Sequence, residues 1–467
     1  MWDGISTNKY TNGTGTVDSP FEISDAYQLA YLASTVNDGT AVSGAYYVIT
    51  KDIDLGGYEW TPIGTAEHPF TGILSGNGYS VYNFNFTNPE TVYAGLFGYA
   101  VNADISKLEV SGFRLNIQNE ATVYAGPVAA YLKSNEENGT ARISECYTDG
   151  EITVNANVTY AGGIAGFAQD TDASVLSIEH SYSTANITIN STANSTAGGI
   201  LGNLQSENVG LSYINKCYYA GTISSLSPVA CYGGGIIGFL INDEWADEGG
   251  VLSEEGSGTS GDDQDTPVIA DAVRNSFYAG PSITLSVVTT SYGGGVYGYK
   301  NSTATVINCG YIENASITAK NIAKNENVFK ISKLSDLYDT KYVGEKFGFD
   351  FETLWVVKDK ALPILQIFNQ IKNVFRINEY ALDATNGTID VELKICYRDV
   401  ESYLVLLGAY DERGKMIAFK SVSIAEPAKL RTIEISEDGL DNAVSCTLSV
   451  INPKTMAFIE APVTLTK

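Results

Sequence analysis

The sequence predicts an all-β chain: a right-handed parallel β-helix with a capping helix, followed by a small antiparallel β-sandwich. Three observations carry that expectation. One glycine motif is written six times, as YAGLFGYA (93–100), YAGPVAAY (124–131), YAGGIAGF (160–167), TAGGILGN (196–203), YGGGIIGF (232–239) and YGGGVYGY (292–299). The pieces between motifs alternate with period two, are rich in β-branched and aromatic residues, and break at Asn, Ser and Gly. After about residue 370 the motif stops and longer alternating runs replace it.

The motif glycines at 95, 126, 163, 199, 235 and 295 stand 31, 37, 36, 36 and 60 residues apart, which is a repeat architecture. Each step carries the same three strand-like pieces, for example GGIAGF (162–167), SVLSIEHSYSTA (174–185) and NITINST (186–192). Short strands at this period coil into a solenoid whose turns stack about 4.8 Å apart. Glycine loses the most backbone entropy on ordering, so its return in every turn asks for tight corners or close backbone approach. The aliphatic residues of GGIAG, GGILG and GGIIG then form inward ladders. In the second copy Pro127 and Ala130 depart from the pattern, so a distorted coil is expected there.

An open solenoid needs covered ends. SDAYQLAYLASTVNDG (24–39) reads as a capping helix, with Ser24 as N-cap, Leu29, Leu32 and Val36 on one face and Gly39 at the C-cap. KISKLSDLYD (330–339) reads as a short helix, and Trp355 and Pro363 lie in an apolar closing stretch, so a cap is expected at each end. The 60-residue step holds an insertion, 241–271, with ten acidic residues and no Lys or Arg, which reads as a solvated loop. The runs GTIDVELKICYR, ESYLVLLGAYDERGKMIAFKSVSI, AKLRTIEISE and AVSCTLSVINP indicate the sandwich, with DERG (411–414) as a turn. The domains are therefore 1–369 and 370–467.

Composition excludes several functions. Among 467 residues, 28 Lys and Arg face 54 Asp and Glu, a net charge of −26 that disfavours nucleic acid and anionic membranes as partners. No apolar run is long enough to span a bilayer, and no secretory apolar stretch follows Met1. Of six cysteines, Cys146, Cys217 and Cys309 each follow an aliphatic residue by three (Ile143, Ile214, Val306), and Ser181 and Ser276 hold the same slot in other copies. A slot that accepts Cys or Ser is a packing position, so free thiols are expected there. Cys396 and Cys446 are the one pair for which a disulfide is weighed.

Catalytic groups are scarce. His68 lies in a turn, and His180 is expected to face out from an alternating strand; neither has a neighbour that would make it a base. GTGT (13–16) is a loop without the strand and helix of a nucleotide site. Asp52 and Asp54 share a strand face in KDIDLGG, where solvation or turn-fixing is the expected role rather than glycoside cleavage. DDQDT (262–266) has acidic groups for calcium but lacks the spacing of a twelve-residue calcium loop. No catalytic, cofactor or metal residues are assigned. The 30 tyrosines include Tyr93, Tyr124, Tyr160, Tyr232 and Tyr292 at the repeat edge, a column suited to packing or to carrying sugars or a partner protein.

The G-[LI]-x-G pieces GLFG (95–98), GIAG (163–166) and GILG (199–202) resemble the GLUG motif of bacterial surface proteins, also found beside the catalytic domains of IgA-specific metallopeptidases. The stretch 49–86, with DIDL, WTPIG, FTG and GNGYSV, is similar to the leader of such proteins, and 13–33 and 349–365 resemble their opening and closing segments. Residues beyond about 370 are similar to an immunoglobulin- or fibronectin-like module of secreted clostridial proteins. The resemblance implies a secreted or wall-displayed protein of a Gram-positive bacterium, with an adhesive or scaffolding role and no catalytic residues to carry over. The expectation is a non-enzymatic, monomeric surface module recognising an extracellular glycan or protein. The rivals are a polysaccharide-active enzyme on the same scaffold, marked by three or more charged residues converging in one groove, and a structural spacer.

Overall fold

The computed structural model describes residues 2–135, 139–171, 174–206, 212–242, 272–287, 289–300, 304–323, 327–358, 360–369, 374–383, 388–396, 403–424, 431–437, 443–451 and 458–466. They form two compact units, Met1–Phe368 and Asn369–Lys467. The first is a parallel β-helix. One coil shows the plan. A first face, Val158–Gly162, turns through Gly163 and Ile164 into a second face, Ala165–Asp170. A third face, Val175–Glu179, follows, and a fourth is split into Tyr182–Ser183 and Asn186–Ser191. Each strand pairs in parallel with its counterparts in the coils before and after, as in Tyr124↔Tyr160↔Thr196 and Ile143↔Ile178↔Ile214. Inward side chains therefore stack on their own kind, and Ile143, Ile178, Ile214, Val273 and Val306 are all buried.

The glycine motif has two steric causes. A Cβ built on Gly163 would lie 2.1 Å from the Gly199 carbonyl oxygen and 2.6 Å from Ser183 Oγ. On Gly199 it would lie 2.2 Å from the Gly235 oxygen and 2.2 Å from the Tyr219 ring. This glycine therefore presses on the next coil and on an interior side chain. The second glycine has a different neighbour. A Cβ on Gly202 would sit 2.8 Å from Ala161 N, and on Gly238 2.8 Å from Ala197 N, so the second face of each coil lies against the first-face backbone of the coil before. None of these glycines has a positive φ.

The left-handed corner lies elsewhere, between the third and fourth faces. Lys107, Glu145, His180, Lys216, Asn275 and Asn308 occupy it in successive coils with φ between 47° and 56°. His180 is thus a half-buried turn residue, not an outward strand residue as expected. The repeat alignment also needs one correction. Register pairs Ala125 with Ala161 and Ala129 with Ala165, so Pro127 stands at the Gly163 position and Gly126 at the Gly162 position. Strand pairing runs through this coil on both sides without a break, and the coil before it makes the corner with one residue fewer, since Ala94 pairs with Ala125 and Phe97 with Ala129.

Helix α1, Ala26–Asn37, buries Leu29, Leu32 and Val36 at the N-terminal end. Its cap is Asp25, whose carboxylate accepts from Gln28 N at 2.9 Å; Ser24 instead bonds the Gln28 side chain, and Gly39 follows the helix with φ 75°. The expected C-terminal cap is a different object. Leu334–Tyr338 is a 3-10 turn, and the sequence reading missed α2, Thr340–Phe347, which Asp339 caps and left-handed Gly348 ends. From there the chain runs back along the side of the solenoid. Phe347 packs on Phe277, Trp355 lies 5.9 Å from Tyr182 and 6.1 Å from Tyr218, and Phe368 lies 6.4 Å from Tyr147. Ile367 reaches Gly78 in an early coil. Residues 334–368 are a lateral strap.

Cys146, Cys217 and Cys309 are free and buried in the predicted slot, each bonding back to a carbonyl two residues earlier, while the Ser181 and Ser276 hydroxyls accept from Cys146 N and Cys217 N. The second unit has a three-stranded sheet, ordered Val374–Asp383, Thr388–Cys396, Arg431–Glu437, and a four-stranded sheet, ordered Met416–Ile424, Tyr403–Tyr410, Ser445–Ile451, Phe458–Thr466, both antiparallel. Val391 of one joins Tyr403, Val405, Leu407 and Leu448 of the other in a single core. Cys446 is a free, buried thiol, so the bridge weighed with Cys396 is not made.

Candidate functional site

The angle between the first and second faces carries two columns of aromatic rings. On the first face, Tyr93, Tyr124 and Tyr160 stack at 5.2 and 5.4 Å with planes 12° apart, and Tyr232 stacks on Tyr292 at 5.9 Å. On the second, Tyr99, Tyr131 and Phe167 stack at 4.5 and 4.9 Å, and Phe239 on Tyr299 at 5.1 Å. The columns also interlock. Tyr124 meets Tyr131 edge-on at 5.2 Å, Tyr160 meets Phe167 at 5.0 Å, and Tyr232 meets Phe239 at 4.7 Å. Parallel pairing in register makes the columns, and the close approach allowed by the second motif glycine brings them within ring contact. Each such pair contributes about 0.5–1.5 kcal/mol beyond buried area.

The first-face rings are half-buried, whereas Tyr131, Phe167 and Phe239 are buried beneath them. Burial raises the phenol pKa of Tyr93, Tyr99, Tyr124, Tyr131 and Tyr160, and pushes that of Tyr232 up to about 12, so all are neutral hydroxyl donors at physiological pH. Sequence reading found the first column. The second was missed, although its signal, an aromatic closing four of the six motif octets (Tyr131, Phe167, Phe239 and Tyr299), was present.

A third column, Tyr147, Tyr182, Tyr218 and Phe277, stacks on the fourth face at 4.4, 4.8 and 5.1 Å. The strap covers it: Tyr182, Tyr218 and Phe277 are buried, and Tyr218 donates to the Pro363 carbonyl at 2.7 Å. The same chemistry is thus closed off on one side, while no described segment lies over the first-face rings.

One charged group forms on the third face. Arg142 reaches Asp104 at 3.6 Å and Glu179 at 3.4 Å. Asp104 Oδ1 is buried without a hydrogen-bond partner, and burial raises its pKa against the pull of Arg142. These residues lie about one repeat apart, so no local spacing revealed them. Asp52 and Asp54 do fix loops, accepting from Ser80 N at 2.8 Å and from Gly56 N at 2.8 Å, while Ile53 and Leu55 are buried. His68 sits in its turn, with its backbone N–H bonded to Thr65 Oγ1 at 3.0 Å. Residues 243–271, with DDQDT and its possible calcium ligands, lie outside the described residues; among those described, no group of three His, Cys, Asp or Glu could hold a metal ion.

No family model matches the chain. Over 149 residues, 30% of the chain, it is 28% identical to halomucin of Haloquadratum walsbyi. Over 116 residues, 23% of the chain, it is 28% identical to a putative Gly-rich membrane protein of Evansella cellulosilytica. The matches span only 2% and 13% of those relatives' lengths. The crystal structure of the enzymatically active domain of bacteriophage CBA120 tailspike protein 4 aligns over 95% of this chain and 65% of its own, at 10% identity and a TM-score of 0.14, a value that carries no structural argument.

Proposed function

We propose that this chain is a non-enzymatic binding module displayed outside the cell, and that the paired aromatic columns on the glycine corner are its recognition surface for an extracellular glycan or protein. One observation carries the reading: of two aromatic stripes built by the same repeats, one is covered by the strap and the other has no cover among the described residues. Half-buried tyrosines offer rigid apolar area and hydroxyl donors at low entropic cost. The similarity of short segments to a halomucin and to a putative membrane protein, and the resemblance of the glycine pieces to the GLUG motif, support a surface or extracellular location. No membrane-spanning helix is found among the described residues.

The test is a glycan and extracellular-matrix protein array probed with the full chain, with and without calcium. Binding is expected without calcium, and Tyr124→Ser and Tyr160→Ser are expected to weaken it at least ten-fold. A ligand whose binding ignores both substitutions would remove the stripe from the account. The polysaccharide-cleaving alternative has the Asp104–Arg142–Glu179 group in its favour. It requires release of reducing ends or unsaturated sugars from some polysaccharide, abolished by Glu179→Gln.

A further inference from the structure

Both aromatic columns are broken, and at the same coil. Where the first column places Tyr160 and Tyr232, the coil between has Thr196; where the second places Phe167 and Phe239, it has Asn203. In a continuous column each ring face is covered by the next ring. Here two interlocked ring pairs, Tyr160–Phe167 and Tyr232–Phe239, face each other across one rung without a ring. Two strand spacings separate them, about 9.6 Å. A ring in van der Waals contact with aromatic planes on both sides needs roughly 7–8 Å, two carbon contacts of about 3.5–4.0 Å each.

The floor of this rung is polar and recessed. Thr196 and Asn203 are each only 5% exposed, because the taller rings stand on either side. Thr196 Oγ1 makes one long bond, 3.4 Å to the Thr159 carbonyl. No hydrogen bond within the protein engages the Asn203 amide among the described residues, and its nitrogen and oxygen are not sealed from solvent, so they are open to a ligand. A donor and an acceptor without partners, placed between apolar planes, are complementary to a saturated ring with C–H faces and hydroxyls on its edge. The net charge of −26 disfavours an anionic ring such as a uronate.

Resting on the reading of the stripe as the recognition surface, we propose that the Thr196–Asn203 rung is its specificity slot and takes one neutral pyranose unit of an extracellular polysaccharide. The unit stacks between the Tyr160–Phe167 and Tyr232–Phe239 pairs, and its hydroxyls or N-acetyl group pair with the Asn203 amide.

The experiment measures binding of cellohexaose, chitohexaose and mannohexaose to the full chain by calorimetry. Variants are Thr196→Tyr and Asn203→Phe, which supply the missing rings, and Tyr124→Ser, which cuts the stripe away from the slot. Filling the slot continues both columns, so these proteins are expected to melt no lower than the parent, yet to bind at least ten-fold more weakly. Asn203→Ser, which keeps the slot open, should lose less. Undiminished binding by both ring-filled variants, with Tyr124→Ser weakened, overturns the slot and leaves the stripe. Binding indifferent to all the substitutions overturns both, whereas no binding by the parent overturns the slot and leaves the stripe to be judged by the protein arm of the array. A ring-filled variant that melts well below the parent shows that the columns do not continue through this coil, which also overturns the slot.

Discussion

At the corner between the third and fourth faces, one residue in each of six successive coils takes the left-handed conformation, and Asn275 and Asn308 are of the type that favours it most. These two also join an amide ladder, with Asn275 Nδ2 donating to Asn215 at 2.9 Å and Asn308 Nδ2 to Asn275 at 3.2 Å. His180 has neither advantage. Burial lowers its pKa, so the folded chain resists protonation that the unfolded chain accepts. Between its folded pKa and the ordinary value of 6.5 the unfolded state binds more protons; stability therefore rises with pH there and is lost on acidification below about 6.5. His180→Asn should gain about 0.5–1 kcal/mol at neutral pH, from the relieved left-handed strain. It should gain more near pH 5, where the parent also carries the protonation penalty. Thermal melts at pH 7.5 and 5 test this, and a gain that shrinks on acidification would contradict it.

The repeated element, a G-x-x-G corner, was legible in outline and misread in detail. Its period gave the coils, and its costly glycines gave close backbone approach. The sequence could not show that the first glycine abuts an interior ring such as Tyr219 and the second a neighbouring coil's backbone, because both contacts lie a full repeat away. The left-handed corner was missed for a related reason: a side chain with φ near 50° leaves no compositional trace when Lys, Glu and His all occupy it. Helix α2 did carry its signals, Asp339 before and Gly348 after, but Gly344 inside argued against it. The two glycine roles differ in tolerance. Gly238→Ala sets a Cβ 2.7 Å from the Gly202 oxygen and 2.8 Å from Ala197 N, and should cost about 1–3 kcal/mol. Ala130 shows that the second position accepts a methyl where the preceding corner is one residue shorter, so Ala130→Gly should change stability by about 1 kcal/mol or less. Denaturant titrations of the two variants distinguish them, and equal losses would reject the distinction.

In the whole β-helix, repetition creates more aromatic surface than its own core can bury, and the chain answers with the strap. Its rings lie over Tyr182, Tyr218 and Phe277, and the Trp355–Val356 and Ile364–Leu365 strands pair antiparallel to hold it together. The asymmetry between the covered and uncovered stripes therefore has a physical consequence. Cutting the chain after Phe368 removes only the second unit, and residues 1–368 should melt as the β-helix does in the full chain. Cutting after Lys333 removes the strap as well. That uncovers the stacked rings of the fourth-face column, and contiguous exposed apolar surface favours association. The shorter protein should bind a hydrophobic dye and self-associate in light scattering while keeping parallel-strand circular dichroism, since its coils stay paired. Tyr218→Ser in that background should reduce the association. If the protein without residues 334–467 stays monomeric and dye-negative, the strap is not what shields this stripe, and the contrast that marks the other as a recognition surface disappears with it.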